Sequence, residues 1–230
     1  MQKMTLLHHF VELKNRVIWS LAVFVAAFIV GFYIAPMLQD FILAPLFGVW
    51  DNPFMIYTGI ADGLTVQFSL AGLFALLVSI PFVLWQLWKY IAPALKKDEK
   101  KLAIPILLAS PILFLMGAGF AYFILMPIMF GFFIDVAGSS ATMMPNVKSY
   151  LSFSVDLLKA FGFAFQFPLV LVLLNRAGVV SKQQIFSKGR YIIVGIFILS
   201  AILTPPDVVS LIALALPLIA LFGLSFLFMV

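Results

Sequence analysis

The chain has 230 residues, of which 64% are hydrophobic and only 10% are charged, with a net charge of +5 and no cysteine. A water-soluble domain carries about 25% charged residues and has nowhere to hide this much apolar surface. The composition therefore excludes a soluble enzyme or binding domain, and the lack of cysteine excludes disulfides and thiolate metal sites.

Six apolar segments predict membrane-spanning helices, because a helix satisfies its own backbone hydrogen bonds in lipid. The runs are continuously apolar, which does not fit the alternating strands of a membrane barrel. We expect one membrane domain over residues 1–230, with spans at residues 17–35, 64–88, 102–134, 151–174, 191–203 and 208–229. The third run is long enough to require a tilt, a bend or a projection, and the fifth is too short to cross upright. The prediction is an all-α protein with six transmembrane helices.

The N-terminal segment, residues 1–16, has the pattern of an amphipathic helix. Its polar residues Thr5, His9, Glu12 and Arg16 recur on one helix face, and apolar residues occupy the other. This pattern predicts a helix lying at the cytoplasmic interface before the first span. A surface helix in which Glu12 and Arg16 form an ordinary i,i+4 ion pair explains the spacing equally simply.

The distribution of basic residues predicts the orientation. Twelve of the 14 Lys and Arg residues fall in the N-terminal segment and in the loops after the second and fourth predicted spans. Basic residues mark the cytoplasmic side of membrane proteins, so we expect both termini to be cytoplasmic. The net charge of +5 thus reflects topology, and we expect no nucleic-acid binding.

The loop after the second predicted span contains carboxylates that topology does not require. Asp98 and Glu99 lie among lysines, and with Glu12 they are the only acids on the predicted cytoplasmic side. Acids in basic surroundings can receive a cationic ligand with geometric specificity. The simpler interpretation is a solvated loop whose charges only set the topology.

The fourth predicted span carries three polar residues, Asp156, Lys159 and Gln166. On one unbroken helix they share a side, with Lys159 about 60° and Gln166 about 80° from Asp156. Charged groups at membrane depth usually face protein or a watery cavity, which suggests a functional site. Alternatively, Asp156 and Lys159 neutralise each other while Gln166 bonds a neighbouring helix. In the third span, we expect Gly117 and Gly119 to permit close helix packing.

Catalytic and cofactor signals are weak. The chain has no Gly-rich phosphate loop and no His-Glu-x-x-His motif. His8 and His9 are adjacent, so on a helix they point about 100° apart, which is poor geometry for chelating one metal ion. We therefore expect no enzyme activity, no catalytic residues, no cofactor and no metal.

Several motifs with matching spacing resemble one family, the TatC family, which is the multispanning signal-peptide receptor subunit of the twin-arginine protein translocase. The N-terminal stretch Leu-Leu-His-His-Phe-Val-Glu-Leu-Lys-Asn-Arg, residues 6–16, is similar to the family's His-Leu-x-Glu-Leu-Arg-x-Arg motif. Further similar stretches are residues 86–88, 91–95, 98–101, 118–123, 150–153, 160–162 and 204–208.

The resemblance implies a concave, glove-like arrangement of six helices in the cytoplasmic (inner) membrane of a prokaryote. It implies binding of twin-arginine signal peptides of folded cargo, single-span partner subunits of the TatA/TatB type, membrane lipid, a possible homo-oligomer and transport driven by the proton-motive force. By position, Glu12 and Glu99 resemble the acids that receive the two arginines, which a carboxylate can hold bidentately. The other motif positions are His9, Lys14, Arg16, Pro93, Pro205 and Asp207.

Two positions depart from the family pattern. Lys14 stands where the motif has its first arginine, which keeps the charge but loses the planar fork. Gln166 stands where the family commonly has an intramembrane acid, so it can hydrogen-bond but cannot ionise. Two other functions remain open at this point: a small-solute transporter or channel lined by Asp156, Lys159 and Gln166, and a structural assembly scaffold.

Overall fold

The computed structural model describes residues 6–50, 54–91, 97–137, 144–176, 178–204 and 208–229. Within these ranges, the side chains of residues 6–10, 88, 89, 91, 97–108, 176, 203 and 228 are outside the description. Of the predicted site residues, Pro93, Pro205 and Asp207 therefore lie outside the described residues, as do the side chains of His9 and Glu99. The regular structure of the described residues is helical.

The chain begins with a long helix and a short one. Helix α1, Leu6–Tyr33, runs without a break from residues 6–16 of the predicted amphipathic segment into the first span, so these residues do not form a separate helix. Helix α2, Ala35–Phe47, follows immediately and lies outside the predicted spans. Pro36 stands in the first turn of α2, where the missing N–H costs nothing. Because Pro36 cannot donate a hydrogen bond back to α1, α1 ends here and α2 begins.

The second and third predicted spans are both longer as helices than as apolar runs. Helix α3, Asp62–Ile91, continues through Pro81. Helix α4, Lys97–Phe120, passes through one π-helical turn, Ala121–Leu125, into α5, Met126–Ala137. Pro127 follows that turn and has no N–H for the usual helical bond, which accounts for the wider turn at this place. The continuous helical segment is about 60 Å long, twice the hydrocarbon thickness.

The fourth predicted span is interrupted. Helix α6, Val147–Ala164, ends at a tight turn through Phe165 and Gln166, and α7, Phe167–Arg176, begins directly after it. Pro168 has no N–H to donate to the carbonyl group of Ala164, so the α-helical ladder cannot pass this point unbroken. The assumption of one unbroken helix over residues 151–174 is therefore wrong.

The chain then forms helices α8, Lys182–Ser187, α9, Gly189–Leu203, and α10, Val208–Phe228. Five helical segments are long and apolar enough to cross a membrane: Val11–Tyr33, Asp62–Leu87, Ala109–Ala137, Val147–Asn175 and Val208–Leu227. At 15 residues, α9 is about 22 Å long, less than the ~30 Å of a hydrocarbon core. The count of six spans and the cytoplasmic location of both termini remain predictions.

The protein core lies where α2, α3, the α4–α5 segment and α6 meet. Its fully buried side chains include Leu70, Phe114, Met126, Leu151 and Phe161. Helices α4 and α6 approach closely because two glycines face the other helix. A Cβ atom on Gly117 would overlap the carbonyl group of Phe161, and one on Gly162 would overlap the ring of Phe114. Gly119 faces open space instead. Of the two glycines predicted to permit close packing, only Gly117 does so.

At the end of the molecule opposite the N-terminus, polar contacts join the segment before α3 to the start of α6. Ile56 and Asn146 form an isolated parallel β-bridge. The Lys148 ammonium donates to Asp62 Oδ1 at 2.9 Å, and the backbone N–H of Gly59 donates to Asp62 Oδ2 at 2.7 Å. The buried Asp62 side chain thus links the segment before α3 to the start of α6.

Candidate functional site

The predicted cytoplasmic ends of α1 and α3 are joined by one arginine. Arg16 donates through Nε and Nη2 to Glu12 Oε1, at 3.2 and 2.5 Å, one helical turn back along α1. Its Nη1 donates to the side-chain oxygen of Gln86 on α3 at 3.1 Å and to the Gln86 carbonyl at 3.4 Å. The Arg16 and Glu12 side chains are only 19% and 25% exposed. A carboxylate held this way sits at a defined position on the helix pair.

A cavity of about 280 Å³ lies beside this cluster, between α1 and α3. Its walls are mostly apolar, with Arg16, Gln86, Ser20 and Tyr90 supplying polar groups. The cavity is therefore amphipathic, with a charged group at one wall. Lys14 is exposed on α1 and is not among the residues that line it.

At membrane depth, the side chain of Gln166 is bonded to the protein at both ends. Ser110 Oγ of α4 donates to Gln166 Oε1 at 2.5 Å, and Gln166 Nε2 donates to the Ser110 carbonyl at 2.9 Å. Ser110 is buried and Gln166 is half-buried. The pair fastens the turn between α6 and α7 to α4.

Asp156 and Lys159 form a separate pair on α6. Lys159 Nζ donates to Asp156 Oδ1 at 3.0 Å, and the Asp156 side chain is 74% exposed. Asp156 lies nine residues into α6, which places it roughly 13 Å along the helix. An ion pair at that depth, exposed on the protein surface, lies where a membrane protein normally has apolar side chains.

The structure therefore brings Glu12 together with Arg16, and Asp156 with Lys159, but it does not bring Gln166 to the other two polar residues of its predicted span. Helix α6 ends at Ala164, two residues before Gln166, so the helical wheel of one unbroken helix does not apply to Gln166. Gln166 is bonded inward to α4 while Asp156 is exposed. This geometry agrees with the alternative interpretation of the sequence, in which Asp156 and Lys159 neutralise each other and Gln166 forms hydrogen bonds with a neighbouring helix.

Comparison with known proteins gives one consistent answer. Residues 8–217 match the family model described as Sec-independent protein translocase protein (TatC). The chain belongs to the TatC family. It is similar to the TatC protein of Azotobacter chroococcum mcd 1, with 38% identity over 228 residues, covering 99% of this chain and 89% of that one. The TatC protein of Escherichia coli K12 is 35% identical over 224 residues, covering 97% of this chain and 87% of its own length.

Solved structures agree with the sequence relatives. A crystal structure of the twin arginine translocase receptor TatC superposes with a TM-score of 0.83 at 34% identity, covering 96% of this chain and 97% of that one. A second TatC receptor structure, in DDM, gives a TM-score of 0.85 at 33% identity, covering 95% and 98% of the two chains. The resemblance in local motifs thus extends to the whole all-α fold.

Membership of the TatC family establishes the class of the protein. It is a multi-pass inner-membrane component of the twin-arginine translocase, which it forms with other Tat subunits, and it is not an enzyme. The comparisons give no support to a small-solute transporter or channel, the alternative that the intramembrane polar residues had left open.

Two residues of the described sites were missed by sequence reasoning. Ser110 is a polar residue inside a long apolar run, and that isolation was the available signal. Gln86 was part of a motif stretch, but its hydrogen bonds to Arg16 join positions 70 residues apart in the chain. No local pattern predicts which helix will supply such a partner.

Proposed function

We propose that this protein is the receptor that binds twin-arginine signal peptides on the cytoplasmic side of the membrane, with Glu12 and Glu99 as the acids that receive the two guanidinium groups. The observation that carries the proposal is the Glu12 carboxylate, which is held half-buried at the predicted cytoplasmic end of α1 by a guanidinium of the protein itself. A site that binds one guanidinium in this geometry has the chemistry to bind another.

The location of Glu99 supports its pairing with Glu12. Glu99 belongs to the first turn of α4, which follows the short connection from the end of α3. The side chain of Gln86, near that end of α3, is bonded to Arg16 beside Glu12. Glu99 follows Gln86 by only 13 residues along the chain, which is why we assign the two acids to the same end of the helix bundle.

The intramembrane residues have a proposed role in receiving apolar segments. Asp156 and Lys159 expose an ion pair at membrane depth, where it can contact a partner's transmembrane helix or the apolar part of a signal peptide. Gln166 supports the same region by tying the α6–α7 turn to α4. The partners proposed for this surface are single-span Tat subunits of the TatA/TatB type, and self-association of the receptor is part of the same proposal.

The deciding experiment measures peptide binding to the full chain reconstituted in nanodiscs. A twin-arginine signal peptide should bind, and the same peptide with two lysines should bind more weakly, because lysine lacks the bidentate fork. The Glu12→Ala/Glu99→Ala variant should lose roughly 1.5–3 kcal/mol for each charged hydrogen bond removed, and high salt should weaken the exposed part of the contact.

The matched control is Asp40→Ala, which removes an exposed acid on the opposite predicted side. It should bind the peptide as the unaltered chain does. If the double variant stays folded and binds with unchanged affinity, the two acids are not the site.

A further inference from the structure

Helices α7, α8 and α9 enclose a second cavity, of about 300 Å³, at the predicted cytoplasmic surface. Its floor is apolar, made by Leu171, Leu174, Val180, Ile185 and Ile192. Its rim is made by three long side chains that each carry a polar end group: Gln184, Lys188 and Tyr191. An apolar floor with a polar, cationic rim is the shape of a site for an amphiphile.

The rim is rich in positive charge. The chain has no Asp or Glu between Asp156 and Asp207, whereas residues 176–190 contain Arg176, Lys182, Lys188 and Arg190. Lys188 and Arg190 are exposed, and neither takes part in any of the ion pairs found among the described residues. The Arg190 guanidinium lies 4.8 Å from the centre of the Tyr191 ring and donates to the Tyr191 hydroxyl at 3.0 Å, which keeps it beside the cavity.

The walls of this cavity are held in place by their own hydrogen bonds. Buried Asn175 donates to the Val180 carbonyl at 3.1 Å, and the Val179 N–H donates to the Leu174 carbonyl at 3.0 Å. Gly178, with φ of 71°, makes the sharp turn between them. Ser181 and Gln184 then cap α8 reciprocally. The cavity is therefore formed before any ligand arrives, which lowers the cost of binding.

We propose that this cavity binds an anionic phospholipid, with the phosphate at Lys188 and Arg190 and the first part of an acyl chain over the apolar floor. Two observations favour a membrane lipid over other occupants. The rim is cationic and pairs with no acid among the described residues, which matches an anionic headgroup, and basic pockets between helices on the cytoplasmic side are suited to such headgroups. The floor, at the predicted membrane surface, offers apolar contact that a water-soluble phosphate could not use.

Native mass spectrometry of the full chain in mild detergent tests this proposal. We expect the protein to retain phosphatidylglycerol in preference to phosphatidylcholine with the same acyl chains. The Lys188→Gln/Arg190→Gln variant should lose about fivefold in this preference for each cation removed. Both side chains are exposed, so the variant should keep its fold. Lys100→Gln/Lys101→Gln removes the same charge from the start of α4 and should leave the preference unchanged.

Three results would overturn the site. Equal retention of the two lipids by the unaltered chain would remove the headgroup contact. An equal loss in both double variants would show a diffuse charge effect. Full displacement of the lipid by glycerol phosphate, which has no acyl chain, would show that the floor takes no part. A folded Ile192→Trp variant, which fills the floor, should weaken phosphatidylglycerol retention while all cations remain.

Discussion

Gln166 and Ser110 are joined by two hydrogen bonds between residues 56 positions apart in the chain. The serine hydroxyl donates to the Gln166 side-chain oxygen at 2.5 Å, and the Gln166 amide nitrogen donates to the serine carbonyl at 2.9 Å. The bonds lie where Pro168 interrupts the helical hydrogen bonds of the backbone. The Gln166 side chain therefore supplies some of the rigidity that these backbone bonds would give in an unbroken helix. Gln166 thus has a structural role whatever it binds.

The first prediction concerns this pair. Ser110→Ala and Gln166→Leu should be coupled in a double-mutant cycle by about 0.6–1.7 kcal/mol, which runs from the average to the largest value for hydrogen bonds between membrane helices. The unfolding free energy, measured by steric trapping in bicelles, checks this value. Ser79→Ala paired with Gln166→Leu is the control, because the Ser79 hydroxyl donates only to its own helix. Additive costs for Ser110 and Gln166 would contradict the prediction.

The second prediction concerns transport. Gln166→Glu should support export of a twin-arginine reporter protein in cells, because a protonated Glu keeps both an acceptor for the Ser110 hydroxyl and a donor for its carbonyl. Gln166→Leu should impair export, because it removes both hydrogen bonds to Ser110 and takes away the acceptor of the buried Ser110 hydroxyl. Both variants must be present in the membrane at the level of the unaltered chain. Normal export by such a Gln166→Leu variant would refute a role for this residue in transport.

The third prediction follows from the Arg16–Glu12 pair. Since Arg16 already neutralises Glu12, an incoming guanidinium must compete with it for the same carboxylate. Arg16→Gln should therefore tighten binding of a twin-arginine peptide, by up to roughly fivefold, and the gain should shrink at high salt. Isothermal titration with the reconstituted chain measures the change. Weaker binding by a folded Arg16→Gln variant would show instead that Arg16 positions Glu12 for the peptide.

The fourth prediction uses two glycines two residues apart. Gly117→Ala should destabilise the protein by about 1–3 kcal/mol, because its Cβ atom would overlap the Phe161 carbonyl and force α4 and α6 apart. Gly119→Ala is the matched control, since nothing lies within 4 Å of its added Cβ atom. The thermal unfolding midpoints of the two variants in detergent should differ clearly. Equal midpoints would mean that the two helices do not pack this closely.

The fifth prediction concerns the contacts at the opposite end of the molecule. Asp62→Ala should lower the thermal midpoint more than Lys148→Ala, because Asp62 accepts hydrogen bonds from both Lys148 and the Gly59 backbone. Asp135→Ala, at an exposed acid outside the described ion pairs, should change it little. A larger effect of Lys148→Ala would assign the stabilisation to the lysine and not to the carboxylate.

Much of the architecture was determined by the sequence alone. Continuous apolar runs such as residues 17–35 and 208–229 predict helices in lipid, because backbone hydrogen bonds must be satisfied within each segment. The spaced motifs that include Glu12 and residues 204–208 indicated the family, which the comparisons show. These signals are local: each depends on residues that are neighbours along the chain.

Only the tertiary structure decided which polar groups meet. Gln166 forms a hydrogen bond with Ser110 on α4 and none with Asp156 on α6. Arg16 forms a hydrogen bond with Gln86 on another helix. A helical wheel could not show the first, because it assumes an unbroken helix where Pro168 breaks one. No periodicity could show the second, because partners 56 or 70 residues apart are chosen by how whole helices pack, and that packing depends on side-chain volumes such as the missing Cβ of Gly117.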